Sequence, residues 1–248
     1  MSLPLTSAPV IFFLALEQGS VFASRACEGT ILGLASLSAF DLVYSWLSRR
    51  SRIGWLYPML LGWGIFFVLT FLLEDLSGPL IVSFVAVAIM LIVVIMLLPK
   101  SSGLALRVSP ISNLSNEWQI VTRMIAATAL VLVITEAAPL LGAQLSGLLT
   151  PFPIYVSVLA ASTHRFQGAA SAAELVRGAT LGLFTPAVFS LIVGTLIVGW
   201  GVGVSFGLAI AVSLPVHGTL LRVLRRRRAW ININHRSLSS TRTYTAIR

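Results

Sequence analysis

Glu136 is where chemistry would start. It stands mid-way along an apolar stretch, 122–147. A carboxyl group at bilayer depth is costly to ionise and usually faces a cavity or a partner. Three residues on, Pro139 removes a backbone donor and invites a kink. From there to Pro153 the chain is uncharged and holds Gly142, Ser146, Gly147 and Pro151. An acid beside a broken helix is the arrangement of a coupling-ion or substrate site, so Glu136 is expected to face the interior and carry a proton or cation. The alternative is a neutral, hydrogen-bonded bundle residue.

Asp41 is the second substrate or coupling-ion candidate. It lies about 12 Å along the helix from Arg49 and is expected either to pair with an arginine near the interface or to line a cytoplasmic vestibule. Arg25 with Glu28, and Glu174 with Arg177, are each spaced three apart and so share a helix face; local ion pairing near each membrane surface is expected. His164 and His217 have no acid or cysteine at metal-ligand spacing and read as interfacial residues. Cys27 is the sole cysteine, which excludes a disulfide framework or a thiolate metal site. No phosphate loop, zinc motif or nucleophile arrangement occurs. The expectation is a protein without metal or cofactor, and not an enzyme.

The elements that must position these residues follow from composition. Of 248 residues, 57% are hydrophobic and only 10% charged, and the mean hydropathy is +0.94. A soluble domain carries about 25% charge, so most of this chain is expected to lie in lipid. The net charge of +9 concentrates in the tail, at Arg222, Arg225, Arg226, Arg227, Arg228, Arg236, Arg242 and Arg248. Such a tail suits topology and anionic headgroups rather than nucleic acid.

Apolar segments read as 3–17, 20–48, 54–73, 79–99, 122–147, 151–163, 169–197 and 200–221. Arg49, Arg50 and Arg52, then Lys100, Arg107 and Arg123, then Arg165 and the tail, mark one side. Glu17, Glu74 and Asp75 mark the other. By the positive-inside rule both termini are cytoplasmic. Segments 3–17 and 151–163 are short for a crossing of about 30 Å.

Shifting the chain by 149 residues aligns 18–47 with 167–196 without a gap. Gln18/Gln167, Gly19/Gly168, Ala23/Ala172, Gly29/Gly178, Leu32/Leu181, Gly33/Gly182, Leu34/Leu183, Phe40/Phe189, Leu42/Leu191 and Leu47/Leu196 coincide. Upstream, Pro4 falls on Pro153. The two copies stand five places apart in the order of segments, an odd number, so they run oppositely across the membrane, as in many secondary transporters. The spacings Gly29-xxx-Gly33 and Gly178-xxx-Gly182 let helices approach closely, and Gly33 and Gly182 are expected where 20–48 and 169–197 cross. The second copy is preceded by a full helix and the first only by Met1-Ser2, which points to an incomplete duplication or a start upstream of this sequence.

The strings Leu3-Pro4-Leu5-Thr6-Ser7-Ala8-Pro9, Leu14-Ala15-Leu16-Glu17-Gln18-Gly19, and Pro151-Phe152-Pro153 to Thr163-His164-Arg165 with Gln167-Gly168 resemble a group of bacterial multi-spanning proteins of unknown function. They are similar, more faintly, to GlpM-type membrane proteins. The resemblance covers the repeat cores and implies a bacterial inner membrane; it supplies no substrate.

These readings converge on an all-α polytopic membrane bundle with two inverted repeats and short or broken helices. One membrane domain spans 1–223 (repeat one 1–73, connecting helix 79–99, repeat two 122–223), with a basic cytoplasmic tail at 224–248. The expected function is a small transporter or permease for an unidentified small molecule or ion. A non-transporting scaffold that holds partner helices is the alternative.

Overall fold

A computed structural model describes residues 7–50, 54–76, 78–99 and 116–245, with backbone alone at 116–123, 126–127, 220–221 and 223–245. Among the described residues the chain is helical throughout, without strands: α1 Ser7–Glu17, α2 Ser20–Arg50, α3 Leu56–Leu73, α4 Leu80–Leu97, α5 Asn116–Leu149, α6 Ile154–Gln167, α7 Ala169–Gly182 and α8 Phe184–Thr245. Five helical stretches are long and apolar enough to cross a membrane: α2, α3, α4, 128–149 and 169–219. This is the make-up of a multi-pass membrane protein. Pro4, Arg52, Lys100 and Arg107 lie outside the described residues, as do the side chains of Arg123 and of the tail from Arg225 onward.

α2 is the central post. It packs against α1, α3, α4, α5, α7 and α8. Its middle is wholly enclosed, with Ile31, Leu34, Phe40 and Tyr44 buried. α3 and α4 are the reverse, with most of their apolar side chains facing outward. Such a surface suits lipid, where apolar side chains need no cover.

Four glycines turn the chain sharply. Gly19, Gly142, Gly168 and Gly201 have φ of 88°, 74°, 86° and 77°, in a region open essentially to glycine alone. Gly142 breaks α5, so the helix break falls there and not at Pro139, which stays within the helix. At Gly201, α8 folds back on itself. Phe189 and Phe206 have ring centroids 5.6 Å apart, whereas a straight helix would separate them by about 25 Å.

Residues 143–149 run alongside α2. A Cβ on Gly29 would strike the Gln144 carbonyl, and one on Gly147 would strike that of Ala26. Further along α2, Gly33 lies against Leu148 and Pro151. A turn at 150–153 follows, and α6 continues the same way until His164 meets Tyr44. Segment 151–163 is therefore no separate crossing; 143–149 and α6 together make one interrupted pass. Phe152 wedges the interruption against α3, with its ring 5.3 Å from both Phe66 and Phe67 and 5.6 Å from Trp63.

α7 and the first arm of α8 form a second interrupted pass, antiparallel to α2. Near one end Ser24 Oγ donates to the Gly194 carbonyl at 2.7 Å; toward the other, Thr180 Oγ1 donates to Asp41 Oδ2 at 2.8 Å. Pro186 causes the interruption. It has no N–H for the Gly182 carbonyl and would crowd it, and the helix closes at Leu183 with a tight bond from its N–H to the Thr180 carbonyl.

The glycines do not mark a contact between α2 and α7. Gly29 and Gly33 are close-approach positions, but their partner is 143–151 and not α7. Gly182 is only half-buried and a Cβ there would meet nothing within 4 Å. Gly178 is half-buried on α7.

Candidate functional site

Buried polar groups flank the break in the second pass. On one side of the break, Thr180 in the last turn of α7 is wholly buried and bonds to Asp41. Its single proton is shared with the Val176 carbonyl, 3.0 Å away. Asp41 itself is 0% exposed, and its Oδ1 has no hydrogen-bond partner. On the other side, Thr185 in the first turn of α8 lies 3.3 Å from Nδ1 of His217, also buried, on the returning arm of α8. Five residues apart, the two threonines thus tether an acid and an imidazole to opposite flanks of one helix interruption.

Hydroxyls extend the site. Ser38, Asp41, Ser45 and Ser48 recur at helical spacing along one face of α2, all buried. Ser38 Oγ donates to the Ala35 carbonyl and Ser48 Oγ to that of Ser45, but Ser45 Oγ has no partner. Across the break, Ser190 and Ser213 also carry buried, unpartnered hydroxyls. Ser190 is the residue that the 149-residue shift aligns with Asp41. Beside the acid, Tyr44 is wholly buried, stacks on Phe40, and has its hydroxyl 3.3 Å from Nδ1 of His164.

Glu136, the leading candidate from sequence, is corrected. Its side chain is exposed, on the outer face of α5. The reason is the helix face: Ile134 and Ala138 point inward against α1 and α2, which turns Glu136 away. Asp41 is corrected in its partner, since it bonds to Thr180 and not to an arginine.

The expected ion pairs are also replaced. Glu28 Oε1 accepts from the Gly78 N–H at 2.7 Å, just ahead of α4, and Arg25 is exposed. Arg177 Nη1 donates to the Leu98 and Pro99 carbonyls, both at 3.1 Å, just past the end of α4. Glu174 keeps one buried oxygen without a partner. Glu28 and Arg177 have each found an end of α4 instead of a neighbouring charge, acid at the positive end and base at the negative end.

No family model matches the chain, and no curated protein or solved structure is significantly similar to it. Function must be argued from the site itself.

His217, Thr180, Thr185 and Ser45 are the site residues that sequence reasoning missed. His217 reads as interfacial because no acid or cysteine stands at metal-ligand spacing from it, and only the fold-back at Gly201 brings it against Thr185. The usable signal was Thr-Pro at 185–186, a helix breaker following a glycine. Among the described residues no group of three His, Cys, Asp or Glu comes together to hold a metal.

Proposed function

We propose that this chain is a small secondary transporter of a bacterial inner membrane, built on two inverted repeats, with its site at the break between Thr180 and Thr185. One observation carries the reading. A wholly buried carboxyl group with a bare oxygen sits beside an interrupted helix, at its contact with an antiparallel helix of related sequence. Intramembrane acids facing a bundle interior mark ion and proton pathways, and interrupted helices at a repeat interface mark transporter sites.

The repeat has backbone support. Gly19 and Gly168, 149 residues apart, share nearly the same positive φ and each joins two consecutive helices. Glu28 and Arg177, also 149 apart, engage opposite ends of α4. Equivalent positions at opposite depths are what inversion requires. Alternating access would follow from rocking one repeat against the other, with Asp41 exposed first to one side and then to the other. The basic side, with both termini, is cytoplasmic in this reading.

The test is uptake into proteoliposomes over a metabolite and ion panel, with a proton gradient imposed. Asp41-dependent flux of any one compound supports the proposal; no flux across the panel, with correctly inserted protein, counts against it. The scaffold reading draws on Glu136, whose exposed carboxyl is costly against lipid and would be relieved by a partner helix. It expects no flux and a protein that co-purifies through α5.

A further inference from the structure

We infer that Asp41 Oδ1, together with the Ser45 hydroxyl, is the seat of a single monovalent cation that the protein binds in the bundle interior. The inference rests on the transporter reading for its purpose but not for its test.

The first observation is the missing partner. Asp41 Oδ1 and Ser45 Oγ are both buried and both unpartnered, and four-residue spacing puts them on one face of α2, a turn apart. A buried polar atom left unsatisfied is costly, and an uncompensated charge far more so. Ser45 can donate as well as accept, yet no donor reaches Asp41 Oδ1 and Ser45 Oγ meets no partner, so both oxygens keep lone pairs free for a cation.

The second observation is that, among the described residues, the surrounding elements bring no basic side chain to this acid. α2 carries no basic residue between Arg25 and Arg49, and neither α3 nor α4 carries a charged residue. On α7, Arg177 is committed to the carbonyls beyond α4, and Glu174 has the same sign as Asp41. On α6, His164 is held by Tyr44, with Arg165 exposed in the last turn. On α8, His217 is held by Thr185. On α5, Glu136 faces outward, and Glu17 ends α1 on an exposed position. An anion would find no buried positive side chain here, whereas a cation would find a carboxylate oxygen, a serine oxygen and the lone pairs of Thr180 Oγ1.

The one carboxylate here balances a single positive charge, and a divalent ion would carry an uncompensated charge into the bundle interior, where burial is costly. A single positive charge fits, delivered as a proton or as an alkali or ammonium ion.

The test uses the full chain in detergent, with two arms. In the first, thermal unfolding is followed at fixed pH in sodium, potassium, lithium or ammonium chloride against an equal concentration of N-methylglucamine chloride. In the second, infrared difference spectra of liposome-reconstituted protein are recorded as pH is stepped, looking for a deuterium-sensitive carboxylic-acid band. A bound metal or ammonium ion raises Tm by about 5 °C at a hundredfold excess over Kd in wild type and not in D41N. A bound proton instead gives a carboxylic-acid band that D41N removes. S45A keeps the fold and weakens the signal in whichever arm responds, which guards against a D41N protein that fails to fold. A signal in either arm that depends on Asp41 and Ser45 supports the inference even if no transport substrate is found. Silence in both arms, or a response unchanged in S45A and D41N, overturns it.

Discussion

Glu28 and Arg177 hold opposite ends of the same helix. One accepts the Gly78 N–H ahead of α4 and the other donates to the Leu98 and Pro99 carbonyls behind it, across a helix about 27 Å long. Trp46 Nε1 adds a third bond at the second end, to the Leu97 carbonyl. Peptide groups of the kind that a helix terminus leaves without partners are here bonded from α2 and α7, so α4 is tied to both helices.

R177A removes two charge-assisted bonds at a part-buried end and should destabilise by about 1.5–3 kcal/mol. E28A acts at an exposed end and should cost less than about 1 kcal/mol. Exchanging the two charges in E28R/R177E should not rescue stability, because each new charge then opposes the dipole of α4. Unfolding in detergent by denaturant checks the ranking; equal losses from both single variants would argue against it.

The glycines divide sharply. G29A and G147A each drive a methyl group into backbone of the facing segment and should destabilise by about 1–3 kcal/mol. G182A meets open space and should change stability by less than about 0.5 kcal/mol. A ranking with G182A most damaging would place the close contact on α7 after all.

Much of the fold was legible because its signals are local. Apolar length marked the passes, and the Gln-Gly pairs at 18–19 and 167–168 marked two turns that the backbone makes with nearly the same φ. The break in α5 was misplaced because Pro139 is a familiar kink signal, whereas Gly142 turns the chain by adopting a positive φ that sequence does not announce. The site was legible only in outline. Asp41 could be named, but Thr180 and His217 reach it or its neighbourhood through tertiary folding, and the face that Glu136 occupies depends on how α5 packs against α1.

Glu136 faces outward, so E136Q should leave folding and any measured flux unchanged, whereas D41N should abolish the flux. Parallel proteoliposome assays on the two variants check this. Loss of flux in E136Q with D41N intact would return the coupling role to α5.

Orientation can be read by labelling. In a C27A background, a cysteine at position 75 should react with an impermeant reagent added to intact cells, and one at position 51 should react only after lysis. Labelling of position 51 from outside would reverse the proposed topology.

The most direct measurement asks whether the break between Thr180 and Thr185 is reached from both sides. Single cysteines at Ser45 and Ser190, in the C27A background, would be labelled in right-side-out and inside-out vesicles. Alternating access predicts that Ser45 reacts from the side of Arg49 and Ser190 from the opposite side, with conditions that raise one rate lowering the other. If neither position reacts from either side under any condition while both proteins are folded, the interior is sealed and the protein is not a transporter.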